Sequence, residues 1–517
     1  MNPARETTHI SATADNDVGV VAIVADAMTS ARAAQARWLL TPLVRRLKLV
    51  RELRRLIAEH AAQLAEASAS ARHRPALESL TAEVLPLAEA CRFLERNAGK
   101  ILATRRLGKR GRPVWLAGVQ AEIHREPFGV VLVIGPGNYP LLLPGVQVIQ
   151  ALVAGNAVLL KPGLGGTAAA RGLLELIGRA GFDLQLVALL PESPAAARTA
   201  IFARPDKVIF TGAAATGEKI LAQLAPHLIP AAMELSGSDA VIIRADADLD
   251  LAAKALFFGL ALNDGATCMS PKRVFVHRSV ATELEGRLEN IFSRHRSAGA
   301  RFWPKPQPDE PAAAANKKLR LILEDAVAHG AHFIAGEITD GGDVIKPVVL
   351  GGVSPSSRLL REDFFDPVLS IVTVADDHEA VMRANDCPFA LAAGIFSRDE
   401  SAARALASRL DAGAVTINDL IIPTADARLP FGGRGRSGFG VTRGTEGLLE
   451  LTTAKVVTVS RSKFRPAFDA PQPEDEKMFA AYLKFSHGRN LRARLSALAS
   501  LVKIISRRKK SSSPGKS

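Results

Sequence analysis

From Ala31 to about Lys100, apolar residues recur at helical spacing in a stretch rich in Ala, Leu and Arg. Trp38-Leu39-Leu40 leads on through Leu43, Leu47, Leu53, Ile57 and Leu64. The pattern then changes. Gly129-Val-Val-Leu-Val-Ile134 is an unbroken apolar run ending in Gly-Pro-Gly, as expected of a strand covered on both faces. Pro144–Ala154 fits a helix, Ala157–Leu160 a strand and Thr167–Arg179 a helix. Leu186–Leu190 and Lys207–Phe210 repeat the strand pattern, with a helix from about Gly217. Alternation at this spacing predicts βαβ units and a parallel sheet. A second αβ series runs from Ala240 to about Ile417, with strands at Val274–His277, Val368–Val374 and Ala414–Ile417. Pro423–Gly440 reads as a Gly- and Arg-rich loop, and Thr453–Val459 as a late strand.

The uncharged stretch from Pro127 to Leu160 is long enough to imitate a membrane span. Gly135, Pro136, Gly137, Pro140, Pro144 and Gly145 interrupt it, so strand, loop, buried helix and strand is the better reading. With 48% hydrophobic and 23% charged residues, the chain is not disordered as a whole. Three cysteines (Cys91, Cys268, Cys387) cannot staple 517 residues, which points to reduced thiols and a cytoplasmic setting. The segment before Asp26 has no basic start followed by an apolar run, so no signal peptide is expected.

The net charge of +14 is concentrated in a tail. Residues 461–517 carry 14 Lys or Arg against 4 Asp or Glu, leaving +4 for the rest. Leu491, Leu495, Leu498, Val502 and Ile505 form one predicted helical stripe among basic residues, before a flexible Ser511-Ser-Ser-Pro514 end. This predicts contact with an anionic membrane surface, peripheral rather than spanning. Nucleic acid is not an expected partner, because the stripe is aliphatic and the tail has few aromatics.

Four segments carry chemistry that fits together. An Asn amide at Asn138, directly after a strand, can donate to an oxygen that becomes negative. Lys161 follows the next strand, within reach of a ribose or phosphate. Phe210-Thr-Gly212 through Gly217 is a strand, a turn and a helix start. Glu234-Leu-Ser-Gly237 precedes Gly265-Ala-Thr-Cys268. Singly, each has a structural reading, as a turn former or a small buried hydrophobe. Cys91 and Cys387 are read that way. No metal-ligand spacing stands out.

The order of the motifs resembles the aldehyde dehydrogenase superfamily over roughly Ala31 to Val459. His124-Arg-Glu-Pro-Phe-Gly129, Asn138-Tyr-Pro140, Lys161-Pro162, Phe210-Thr-Gly212, Glu234-Leu235, Gly265-x-x-Cys268, Asp366-Pro-Val-Leu369 and Pro430-Phe-Gly-Gly433 with Ser437-Gly-x-Gly440 all fall in sequence. The His-Arg-Glu-Pro and Asn-Tyr-Pro segments are most similar to the class-3, fatty-aldehyde-like branch. The resemblance implies an α/β fold with a Rossmann-like cofactor domain, an αβ catalytic domain and a small β oligomerisation element. It places residues 1–112 and 126–234 in the cofactor domain, 235–440 in the catalytic domain, 113–125 and 441–460 in bridging strands, and 461–517 in the basic tail.

It further implies Cys268 as nucleophile, Glu234 as the base that activates water, and Asn138 with the Cys268 N–H as oxyanion hole. NAD or NADP would be held by Lys161, Gly212, Gly217, Leu235, Asp363 and Phe365. Tyr139, Leu143, Val146, Thr267 and Met269 would line a funnel for an apolar aldehyde. A homodimer is implied as well. The family's Trp before the Asn is Gly137 here, its Glu after the Lys is Leu164, the Ser after Thr-Gly is Ala213, and its Glu in the nicotinamide loop is Asp363. Two readings follow: an active NAD(P)-dependent dehydrogenase, or a divergent member that keeps the fold as a binding or membrane-associated module with weak or no activity. Transfer to coenzyme A fits less well, since Glu234 is kept.

Overall fold

The computed structural model describes residues 7–69, 74–116, 118–297, 310–461, 468 and 470–511. Of the expected flexible Ser511-Ser-Ser-Pro514 end, all but Ser511 lies outside them. Two compact units are present, residues 1–104 with 124–455, and residues 105–123 with 456–517.

In the first unit, helices Thr7–Leu39 and Leu43–Glu59 are separated at Pro42, which starts the second one. The break exposes Leu39 and Leu40, so of the Trp38-Leu39-Leu40 triplet only Trp38 is buried. Its indole Nε1 donates to the Leu152 carbonyl at 2.8 Å. A short helix, Ala76–Ser79, passes through a π-helical turn, Leu80–Val84, into helix Leu85–Ile101. Within that turn Glu83 is fully buried. It accepts the N–H groups of Leu141 and Leu142 at 2.7 and 3.0 Å and pairs with buried Arg74. A carboxylate thus sits at the positive end of helix Leu142–Ala154. That helix is buried on every face, which is why its sequence carries no charge.

The six-stranded sheet runs Gly438–Phe439, Ala231–Leu235, Lys207–Gly212, Val130–Ile134, Ala157–Lys161, Val187–Leu189. All neighbours are parallel except the first pair. The chain winds one way from Val130–Ile134 to Ala157–Lys161 and then returns past it to Lys207–Gly212. The switch point therefore lies between Val130–Ile134 and Lys207–Gly212, where such sheets bind ligands beyond the strands' carboxyl ends. A seven-stranded sheet follows, in the order His332–Ile338, Val344–Gly351, Val368–Val374, Pro271–His277, Asp239–Ile243, Ala392–Phe396, Ala414–Ile417. It is parallel apart from its first pair.

Two expectations are corrected. The helix expected from about Gly217 begins at Ala214, because Ala213, Ala214 and Ala215 are good helix formers directly after the Thr-Gly turn. The Pro423–Gly440 loop contains strand residues: Arg434–Gly435 pairs with Phe389–Ala390, and Gly438–Phe439 with Met233 and Glu234. Two-residue strands made by distant pairing leave no local periodicity to read.

Strand Arg105–Leu107 pairs antiparallel with Val119–Pro127, and Thr452–Ser460 completes a three-stranded sheet at its other edge. Helices Asp475–His487 and Leu491–Ser511 form a hairpin around Met478, Ala481 and Leu501, with Ile504 and Ile505 packed on it. The predicted stripe is corrected in part. Leu491, Leu495 and Val502 are exposed, while Leu498 and Ile505 are half-buried. The hairpin partner takes up a face rotated from the aliphatic stripe.

Candidate active site

Glu234 lies near the carboxyl end of strand Ala231–Leu235, in register with Thr211 on one side and Gly438 on the other. The chain then turns through Ser236 and Gly237. A Cβ on Gly237 would stand 2.5 Å from the Cys268 carbonyl oxygen, so a glycine is needed where the two segments touch. The cysteine loop is fixed from its other side as well. Buried Lys272 donates to the Gly265 carbonyl at 3.1 Å and the Asp366 carbonyl at 2.6 Å. Gly265, at φ +71°, leaves room for the Pro367 backbone. Burial pushes the Lys272 ammonium down to about 8.

Asn138 follows the strand Val130–Ile134. Its side-chain amide donates to the Ala266 carbonyl at 2.8 Å, two residues before the cysteine. An Asn NH₂ carries two donors, so the second remains for another acceptor. Tyr139 is buried, and its hydroxyl shares a 2.6 Å hydrogen bond with Thr267. Burial drives that phenol's proton affinity up.

Glu234 is buried and Cys268 half-buried, and the electrostatics of the pair follow from that. The Cys268 thiol is pushed up to about 12, first by burial, then by the charges of Glu234 and Asp239, with Arg443 acting against them. Glu234 is itself raised above the ordinary carboxylate range by burial, opposed by Arg443 and by bonds from Thr442 and Thr211. Both hydroxyls reach Oε2, at 3.3 and 3.4 Å. Oε1 is buried without a partner. It is the oxygen left open to a proton.

These residues share a cavity of about 630 Å³. Cys268, Glu234, Tyr139, Leu143, Thr267 and Met269 all line it. Val146 does not: it is 3% exposed, inside the core of the six-stranded sheet. Phe258, Ile421, Ile422 and Phe431 add to the apolar wall, and Glu78 and Glu89 join it from the helical segment Pro75–Glu89. Arg443 was not among the sequence candidates, yet it lines the same cavity. The Gly- and Arg-rich loop Pro423–Gly440 ends three residues before it, and no sequence signal singled it out.

On the far side of the six-stranded sheet's switch point, Lys161 ends its strand and is 8% exposed, its ammonium lowered by burial and raised by Glu192. Helix Ala214–Leu224 starts behind Ala213, which offers no side-chain cap to the first-turn N–H groups. A Cβ on Gly217 would come within 2.7 Å of Leu235, whose side chain is thereby seated on the turn. The Ala214 N–H donates to the Ser236 hydroxyl at 3.4 Å. The remaining first-turn N–H groups and Lys161, at the ends of strands that flank Val130–Ile134, are a donor set that suits a dinucleotide's phosphates and ribose. Asp363 and Phe365 lie in the segment that runs into Pro367, and so beside the cysteine loop; Phe365 is 39% exposed. Gly137 has a reason of its own. A side chain there would meet the Leu164 carbonyl oxygen at 2.8 Å, so the loop after Lys161 occupies the space a larger residue would need.

A doubly wound cofactor-type sheet, with a cysteine and a carboxylate on one apolar cavity and Asn138 bonded to the cysteine loop beside it, is the architecture of a nucleotide-dependent dehydrogenase. The sequence signature of the aldehyde dehydrogenase family matches residues 1–457. The chain belongs to that family, whose members oxidise aldehydes with NAD or NADP. It is 31% identical to a 4,4′-diapolycopene aldehyde oxidase of Methylomonas sp over 90% of this chain and 88% of the relative. It is 32% identical to a Mycolicibacterium smegmatis protein assigned as a succinate-semialdehyde dehydrogenase [NADP(+)], covering 86% of each. Among solved structures, the NADP-dependent glyceraldehyde-3-phosphate dehydrogenase of Bacillus halodurans C-125, complexed with NADP, superposes with a TM-score of 0.77 at 29% identity. That match covers 85% of this chain and 91% of the other.

Proposed function

We propose that the protein oxidises an apolar aldehyde to the carboxylic acid through a covalent intermediate on Cys268. The observation that carries this reading is the meeting of the Cys268 thiol and the unpartnered Glu234 Oε1 on one largely apolar cavity. The thiol gives its proton to water and its sulfur adds to the carbonyl carbon. The resulting oxyanion accepts hydrogen bonds from the second Asn138 N–H and the Cys268 backbone N–H, giving a thiohemiacetal. NAD or NADP, when bound, accepts the hydride that leaves the substrate carbon. Cys268 then carries a thioester, and Glu234 takes a proton from the water that hydrolyses it. Lys161, Gly212, Gly217, Leu235, Asp363 and Phe365 are proposed to hold the cofactor, within residues 1–112 and 126–234 and the adjoining part of 235–440. The non-catalytic alternative is not favoured.

The two relatives are named for different substrates, one for the aldehyde of a hydrocarbon and one for a carboxylate-bearing semialdehyde. The lining supports the first. Glu78, Glu89 and Glu234 place three acidic residues against one arginine, so a second carboxylate entering the cavity meets repulsion. Measuring NADH and NADPH formation with an aldehyde panel, beside Cys268→Ala, tests the reading. Turnover of apolar aldehydes that disappears in Cys268→Ala supports it, and faster turnover of succinate semialdehyde than of any apolar aldehyde overturns the substrate class.

We further propose a homodimer through strand Thr452–Ser460, an edge strand with Val456 and Val459 exposed. The C-terminal hairpin is proposed to rest on an anionic membrane. Phe479, Leu483, Leu491, Leu495 and Val502 are exposed on it, next to Arg489, Arg492, Lys503 and Arg507. Among the described residues, no helix is long and apolar enough to cross a membrane. Sedimentation with anionic and neutral liposomes, comparing the full chain with one ending at Ser460, tests this. Equal recovery of both chains in the supernatant at low salt overturns it.

A further inference from the structure

Arg443 stands out among the cavity's residues for the effort with which it is held. Its backbone is at φ +62° and ψ 172°, a region occupied almost entirely by glycine. The residue is the N-cap of helix Gly444–Leu449, and the Gly447 N–H returns to its carbonyl at 2.8 Å. One terminal guanidinium nitrogen donates to the Thr424 carbonyl at 2.8 Å, and the guanidinium carbon stands 4.5 Å from the centre of the Phe431 ring. The side chain is buried, and Nε has no partner. Backbone strain tolerated beside reacting groups points to a use for the residue that occupies it.

The charged and titratable groups facing the thiol are Glu234, Asp239, Tyr139 and Arg443. Those facing Glu234 are Arg443 and the hydroxyls of Thr442 and Thr211. Asp239 is answered on its own side by Arg273 and Lys272. Arg443 is therefore the one cation acting on both members of the pair among the described residues.

We propose that Arg443 is a positioning residue, the fixed positive charge that counters the burial of Glu234 and Cys268 and favours the anionic, reactive form of each. Its deletion acts on both groups with one sign. Without the cation, each anion is less stable and each group keeps its proton to higher pH. The inference rests on Cys268 and Glu234 being the reacting pair.

Alkylation of Cys268 by iodoacetamide reads the thiol without any aldehyde oxidation, so the two ideas fail separately. Removal of a nearby charge lowers the thiolate fraction about tenfold, offset by a roughly threefold gain in thiolate nucleophilicity. In Arg443→Met, Cys268 is expected to alkylate roughly threefold more slowly at fixed pH. The rising limb of kcat with pH is expected to move up by about one unit. Arg443→Lys keeps the charge and is expected to recover most of both effects. Phe431→Leu, which removes the ring but leaves the cation, is expected to shift both in the same direction by less; it keeps the test available if Arg443→Met does not fold. Unchanged alkylation and an unchanged pH limb in a folded Arg443→Met enzyme overturn the proposal. So does a loss confined to kcat/KM for succinate semialdehyde, which would make Arg443 a receptor for a substrate carboxylate instead.

Discussion

Gly237 and Cys268 touch: the space where a Gly237 side chain would begin lies 2.5 Å from the Cys268 carbonyl oxygen. This contact sets the distance between the strand that carries Glu234 and the loop that carries the thiol. Gly237→Ala forces one of them to move. Displacement of a reacting group by about 1 Å costs on the order of 10²-fold in rate. The fold should persist, so kcat is expected to fall by about that factor with an unchanged circular dichroism spectrum. Activity at the wild-type level would show that the loop yields without consequence.

The Arg74–Glu83 pair is buried on both sides, with Glu83 also serving the N–H groups of Leu141 and Leu142. Glu83→Ala leaves a buried guanidinium and two helix-end donors unanswered. Removing one partner of such a pair costs about 3–5 kcal/mol. The urea midpoint should drop accordingly, and an unchanged midpoint would contradict the structural role. Because the pair stands at the start of the helix that follows Asn138 and Tyr139, activity should decline as well.

Much of the site was legible because its groups sit directly after strands. Asn138, Lys161 and Gly212 each end or follow an apolar run, and the parallel order of three neighbouring strands sets them at the same, carboxyl end. What local pattern could not reach was assembled from afar. Thr211 and Thr442 meet on Glu234 from two different segments, and Arg443 comes from a loop with no periodicity. Val146 was misplaced because helical spacing says which residues share a face, not which face borders a cavity in a helix buried all round. The tail stripe was misjudged for a related reason: the partner helix Asp475–His487 chose the packed face.

Substrate length offers a direct reading of the cavity. Each added CH₂ buried in it contributes about 0.8 kcal/mol, which is roughly fourfold in affinity. Across a series of straight-chain alkanals, KM is expected to fall by up to that factor per carbon until the cavity of about 630 Å³ is filled. A KM independent of chain length would mean the alkyl chain stays in water.

Leu164, 82% exposed on the loop after Lys161, is the residue expected to set cofactor choice. It offers a ribose 2′-hydroxyl no acceptor and a 2′-phosphate no repulsion. Glu192, which reaches that loop from the segment after strand Val187–Leu189, is engaged with the Gly165 N–H at 3.1 Å and the Thr167 hydroxyl at 2.9 Å. NADP should therefore be used alongside NAD. Leu164→Glu is expected to raise the ratio of kcat/KM for NAD over NADP, and the ratio of binding constants with it. Ratios that do not move would assign the choice to another residue.

The most direct test of the whole account is the Glu234→Gln enzyme mixed rapidly with cofactor and an apolar aldehyde. The chemistry proposed requires the thioester to form and then to wait, since the amide cannot take a proton from water. One equivalent of reduced cofactor per site should appear in a burst, followed by stalled turnover. Mass spectrometry of the quenched protein should find the acyl group on the peptide carrying Cys268. Steady turnover at the wild-type rate, with no adduct on Cys268, would contradict the assignment of both residues.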